Sequence, residues 1–252
     1  MAQAIITAPQ PEAVEAGADI LAAGGNAVDA AVACALVQTA VDPYMCGVAG
    51  FGSMQIWMPE RNAHCLIDFH GRAPAAARSD MWQDIIIGET DDGFGFVLKG
   101  RVNEIGYQSA TTPMTLKALA RALSRFGTRP LGELIEPAIR HCEDGILVRP
   151  RMAEFWRERS AAGRLERREF CTRYPGTRAL YTRPDGSLLA TGERIVNQDM
   201  ARTYRRIATH GVDDFYRGEI AAAIAADMAA NGGLVTLEDL ASVEAVETEP
   251  LR

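Results

Sequence analysis

The sequence predicts an α+β chain dominated by helix, and three observations carry that expectation. Ala- and Leu-rich stretches recur along most of the chain, and both residue types favour helix. Helix start and stop signals punctuate those stretches: Pro, Asn or Thr at the front, Gly or Asn-Gly at the back. Two short stretches, residues 51–58 and 65–69, read instead as strands, joined by the turn Pro59-Glu60-Arg61-Asn62.

In chain order, residues 4–8 (AIITA) read as a short buried strand. Pro11 suits the first position of a helix, where a missing N–H costs nothing, and Val14, Ile20 and Leu21 give that helix an apolar face. Gly24 and Gly25 end it through the left-handed conformation that Gly accepts. Asn26 caps a second helix, AVDAAVACALVQTAV, which is apolar on nearly every side and therefore buried. Asp29, its early charge, is favoured by the helix dipole. Asp42-Pro43 closes it, and Gly47, Gly50 and Gly52 then let the backbone pack closely before the hairpin.

Residues 78–110 show no clear pattern beyond a turn or mobile loop at Asp91-Asp92-Gly93-Phe94-Gly95. Thr112-Pro113 reads as the cap of a helix that carries Leu116, Leu119, Leu123 and Phe126 and stops at Gly127. Residues 131–142 continue as helix, restarted at Pro137 and ended at Gly145, and residues 151–168 read as polar helix. Asn197 caps a helix with Met200, Tyr204 and Ile207 on one face. Residues 218–230 form another, ended by Asn231-Gly232-Gly233, and Thr236 with Asp239 resembles a capping box with Asp in place of Glu.

Composition narrows the function classes. A length of 252 residues suits one large domain or two small ones. A net charge of −7 argues against a dedicated nucleic-acid surface. The basic run at 164–168 (RLERR) is interrupted and reads as a solvated helix face. No window approaches the roughly 18 apolar residues of a membrane span, and the N-terminal residues lack a signal-peptide pattern, so the expectation is a cytoplasmic protein without a membrane partner. Five cysteines without a C-x-x-C pair give little support to a disulfide framework or a zinc site. The glycines at 47–52 lie between a helix and a strand, the wrong order for a dinucleotide loop, so close packing is the better reading and no cofactor is expected.

Five segments in order nevertheless say more than any one of them. EAGADILAAGGNAVDAAVA (15–33), Asp42-Pro43 with GVAGFGSM (47–54), LIDFHGRAP (66–74), RPLGELIEPAIRHCEDGILV (129–148) and DDFYRGEIAAAIAADMAANGGLVTLEDLA (213–241) together resemble the large chain of the γ-glutamyltransferase family. The resemblance implies an Ntn-hydrolase fold, a four-layer αββα sandwich, with residues 1–252 forming part of a single domain. It also implies a precursor that cuts itself into a large and a small chain, with a nucleophilic N-terminal Thr on the small one. An α-amine in reach of a hydroxyl can serve as its base. No catalytic nucleophile is expected in this chain: Thr111-Thr112, its one Thr pair, is followed by Pro113 and reads as a helix cap. The expectation is thus a truncated large chain that pairs with a small chain, with a dimer of such heterodimers as an open arrangement.

The family holds a substrate carboxylate with an Arg that follows Asp-Phe and precedes an acid; a guanidinium fork suits that task. Here Asp68-Phe69 is followed by His70 and Gly71, and Arg72 comes two residues later. Residues two apart on a strand share a side, so Arg72 can reach over the same pocket. Arg72 is the candidate carboxylate ligand and His70 a candidate substrate contact; pairing of Arg72 with an internal acid, or exposure to solvent, is the alternative. Loss of the acid weakens the case for a substrate ammonium and favours a small acidic amide, oxamate-like or glutaryl-type. Two alternatives stand beside it: a γ-glutamyl hydrolase or transferase, and a non-catalytic protein that binds small acids or peptides.

Overall fold

A computed structural model describes residues 4–250; the chain ends Met1 and Arg252 lie outside the described residues. The fold is α+β and rich in helix. Residues 4–8 form no strand; Ile5 is almost fully exposed, so the apolar run there is not a core element. Helix α1 (Pro11–Ala22) carries Pro at its start, and Gly24, at φ 84°, follows its end. Helix α2 (Ala27–Val41) is buried on most sides, as its unbroken apolar sequence requires.

Asn26 and Asp29 form a reciprocal capping box at the start of α2. Their role extends beyond that helix. Asn26 Nδ2 donates to the carbonyl of Phe126 (2.6 Å), and Asp29 accepts from Thr128 N (2.8 Å), Thr128 Oγ1 (2.6 Å) and Arg129 N (3.1 Å). Burial alone would raise the fully buried Asp29 carboxyl, but these bonds and that from Asn26 N hold it below the usual carboxylate range. Gly127 completes the clamp: a Cβ there would lie 2.8 Å from the Leu123 carbonyl oxygen and 3.0 Å from Asp29 Oδ1.

Strand β1 (Gly52–Met58) pairs antiparallel with β2 (Ala63–Phe69), Gly52 opposite Phe69 and Met58 opposite Ala63. The turn between them places Asn62 at φ 48°, a left-handed position that Asn tolerates. A two-stranded hairpin, β3 (Ile86–Glu89) with β4 (Phe96–Leu98), occupies the segment that lacked a sequence pattern. Asp92 closes its turn by accepting from Thr90 Oγ1 (2.7 Å) and Phe94 N (3.1 Å).

Helix α3 (Thr115–Phe126) begins two residues later than a cap at Thr112 would place it. Thr112 is not its cap. The carbonyl of Gly50 instead accepts from the N–H groups of Met114 (3.0 Å) and Thr115 (3.1 Å), so the Gly-rich loop caps this helix. Gly50 has no room for a side chain, since a Cβ would sit 2.9 Å from the Gly47 carbonyl oxygen. Helix α4 (Leu131–Asp144) is continuous through Pro137, not restarted there. It packs against α2 and buries Leu134, Ile135, Ala138, Ile139 and Cys142, which outweighs one missing hydrogen bond.

The expected polar helix over 151–168 is broken into α5 (Pro150–Phe155) and, after a loop that follows strand β5 (Ile146–Leu147) and α5 in the chain, α6 (Arg167–Thr172). RLERR is accordingly not one solvated helix face: Arg164 binds Asp92 (2.9 Å), Leu165 is buried, and helix starts only at Arg167. Helix α7 (Pro175–Tyr181) follows, and strand β6 (Arg194–Ile195) pairs with β5.

Helix α8 (Gln198–His210) is capped by Asn197, whose side chain accepts from Met200 N (3.0 Å). Helices α9 (Asp213–Arg217), α10 (Glu219–Ala230) and α11 (Leu237–Ser242) complete the helical part, the last with the expected Thr236–Asp239 capping box. Strand β7 (Val246–Thr248) then joins β2 antiparallel, which makes β2 the central strand of a three-stranded sheet. Cys65, Ile67 and Phe69 point from β2 into the main core, which α1 to α4 and α8 also line. Among the described residues no helix is long and apolar enough to cross a membrane.

Candidate functional site

The alternation that buries Cys65, Ile67 and Phe69 turns Asp68 and His70 to the other side of the central strand. The strand ends at Phe69, and the chain crosses residues 110–112 immediately afterwards. Arg72 and Thr112 form an isolated antiparallel bridge, with Thr112 N donating to the Arg72 carbonyl (2.9 Å). Gly71 is what lets the two segments meet: a Cβ there would lie 2.3 Å from Thr111 Oγ1 and 3.0 Å from Thr111 Cβ. The absence of an acid at this position therefore has a packing cause of its own.

Two further contacts hold the segment. Ala75 N donates to Asp239 Oδ1 (2.8 Å), so the capping box of α11 also anchors the residues after Arg72. Burial alone would raise the Asp239 carboxyl, yet bonds from Ala75 and Thr236 hold it below its usual value. On the other side lies Phe51, whose ring centre is 6.3 Å from that of His70.

The structure joins His70 to a third residue, Asp68, and leaves Arg72 near enough for its charge to act on that Asp68. One oxygen, Asp68 Oδ1, accepts from the backbone N–H of His70 (3.0 Å) and from ring atom Nδ1 (2.7 Å). These bonds, in that order of size, hold the Asp68 carboxyl below the usual carboxylate range, and the nearby charge of Arg72 adds to the effect. Arg72 itself is exposed and, among the described residues, has no acid within ion-pair distance. Of the two alternatives to carboxylate binding, pairing with an internal acid is not observed among the described residues, and exposure to solvent is. Asp68 was passed over as a site residue in the sequence, although Asp-x-His is the spacing at which a carboxylate can turn back on both the backbone and the ring.

A cavity of about 580 Å³ borders the other side of this crossing, lined by Ala73, Pro74, Thr111, Met81 and Trp82 among others. Gln108 fixes its Trp82 wall by accepting from indole Nε1 (3.1 Å). Among the described residues no three His, Cys, Asp or Glu side chains converge as metal ligands. The arrangement at the strand exit can hold an anion on Arg72 and a hydrogen-bonding group on His70; it contains no activated hydroxyl or thiol. Cys46, the least buried cysteine, is pushed up to about 11 by burial and the Asp42 charge, which keeps it a thiol at neutral pH.

Residues 13–252 match the profile of the family described as Gamma-glutamyltranspeptidase. The chain is 36% identical over 250 residues to the Acylase ACY 1 proenzyme of Pseudomonas sp. (strain SE83), covering 98% of this chain and 42% of that protein. It is 33% identical over 249 residues to the Glutathione hydrolase proenzyme of Escherichia coli (strain K12), covering 99% and 40%. The structure superposes on Helicobacter pylori gamma-glutamyltranspeptidase with a TM-score of 0.85 at 30% identity, covering 98% of this chain and 66% of that one. The chain spans about two fifths of the length of the curated relatives it matches.

Proposed function

The chain belongs to the gamma-glutamyltranspeptidase family as the N-terminal part of its large chain, and from that premise we propose that it serves an autoprocessed amidohydrolase acting on a small acidic amide. Its fold is the Ntn-hydrolase fold of the solved relatives, and in our reading the chain forms part of a single such domain. In this reading a small chain from the same precursor supplies an N-terminal Thr. That hydroxyl attacks the amide carbonyl, the amine leaves with a proton, and water then releases the acyl group. The outer face of β1 and β2, where Trp57 is 66% exposed, is the surface such a partner would cover.

The observation that supports the substrate reading is the exit of β2: Arg72 is exposed, has no acid within ion-pair distance among the described residues, and lies two residues from His70 with its charge acting on Asp68. A guanidinium in that setting pairs with a substrate carboxylate, as in an oxamate-like or glutaryl-type amide. Hydrolysis of a γ-glutamyl amide is the second reading. Gly71 favours it, because Thr111 packs where any side chain at 71 would sit, so the missing acid does not by itself signal a different substrate.

Expression of the whole precursor tests both. We expect two chains, a Thr at the new N-terminus, and turnover of oxamate or glutaryl amides at higher kcat/KM than γ-glutamyl amides. An uncleaved precursor without turnover would overturn the enzymatic reading; a preference for γ-glutamyl amides would replace the first substrate class by the second.

A further inference from the structure

We propose that Asp68 is a positioning residue that fixes the tautomer of His70, so that Nε2 of the neutral ring accepts a hydrogen bond from the N–H of the substrate carboxamide. The proposal rests on the reading of His70 and Arg72 as substrate contacts.

The geometry leaves little freedom. An ionised carboxylate only accepts hydrogen bonds, so the 2.7 Å contact from Nδ1 to Asp68 Oδ1 requires the proton on Nδ1. In the neutral ring Nε2 is then a lone pair. A second bond, from the His70 backbone N–H to the same oxygen, prevents the carboxylate from turning away. Among the described residues Asp68 is the charged group in contact with the ring, and Arg72 acts on that Asp68; Phe51, packed beside the ring, brings no charge. Arg72 and Ala75, after the ring, are tied down by Thr112 and Asp239.

A lone pair beside an ionised Asp repels a carboxylate and attracts an N–H. The two side chains therefore divide the ligand: the carboxylate goes to Arg72 and the amide N–H to His70. His64 provides an internal contrast on the same outer sheet face. Its Nε2 meets the amide of Gln55 at 2.9 Å, and a carboxamide can satisfy either tautomer by turning over.

The test uses the processed whole protein, with ¹⁵N-labelled histidine and His70 assigned by comparison with His70→Asn. We expect the neutral His70 ring to carry its proton on Nδ1, and Asp68→Asn, whose carboxamide can satisfy either tautomer, to move part of that population to Nε2. Kinetics supply the second arm. KM for oxamate should rise about tenfold in His70→Ala and several-fold in Asp68→Asn, with kcat little changed. KM for a monoalkyl oxalate ester, which lacks an N–H, should move in neither. A wild-type ring protonated on Nε2 would overturn the role of Asp68. The expected tautomer with unchanged oxamate KM in His70→Ala would overturn the underlying assignment of His70 to the substrate. Loss of affinity confined to γ-glutamyl amides would identify an α-ammonium, not the carboxamide, as the N–H donor and overturn that assignment.

Discussion

Asn26–Asp29 and Asp68–His70 are both short acid-centred hydrogen-bonding units, and they differ in every respect that decides what they do. At the first, Asp29 is fully buried and both its oxygens are spent on Asn26, Thr128 and Arg129, segments about a hundred residues apart. At the second, Asp68 is half exposed, spends one oxygen on its own neighbour His70, and feels the charge of Arg72, which has no ion-pair partner among the described residues. A saturated, dry carboxylate holds a fold. An open one next to a solvent-facing ring and a free guanidinium has bonding capacity left for a ligand.

That contrast can be broken by exchange of readouts. The largest effect is expected at the clamp: Asp29→Ala strands three backbone N–H groups and should cost about 3–5 kcal/mol of stability, measured by denaturant unfolding. Next is Arg72→Ala, which should raise KM for an acidic amide about a hundredfold while unfolding and self-cleavage stay as in the wild type. Gly127→Ala should cost about 1–3 kcal/mol, because the Leu123 carbonyl oxygen and Asp29 stand where the methyl must go. Asn26→Ala should cost about 1–2 kcal/mol through loss of the cap and of the bond to Phe126.

The smallest effect is with pH. The Asp29 carboxyl titrates lower in the folded chain than its ordinary value of 3.8, so its contribution is complete above that value and is lost as pH falls through the folded one. Acid unfolding of Asp29→Asn should show a shallower fall in stability below about pH 4 than the wild type.

The sequence made the clamp half legible. The Gly stop, the Asn cap and the acidic first turn around residues 24–29 follow from local rules, and all three occur. What local rules could not supply is that Asp29 also receives residues 128 and 129, because no spacing in sequence encodes a contact a hundred residues long. Asp239 repeats the lesson, capping α11 as expected while also holding Ala75. The same limit misplaced Thr112, whose cap-then-Pro pattern is met by a strand bridge, with Gly50 doing the capping.

At the strand exit, His70 and Arg72 were legible as departures from a family motif, and both act on Asp68. Asp68 was not, since it matches that motif and draws no attention until its bonds to His70 are seen. The physical cause of Gly71 was equally hidden, because Thr111 reaches it only through the fold.

The division of labour between the two units stands or falls on Arg72. Oxamate KM and the unfolding midpoint, measured on the same preparation of processed Arg72→Ala protein, test it most directly. The account predicts a KM raised about a hundredfold with an unfolding midpoint equal to that of the wild type. An unchanged KM would contradict it, and would return the strand exit to the same structural role as the clamp.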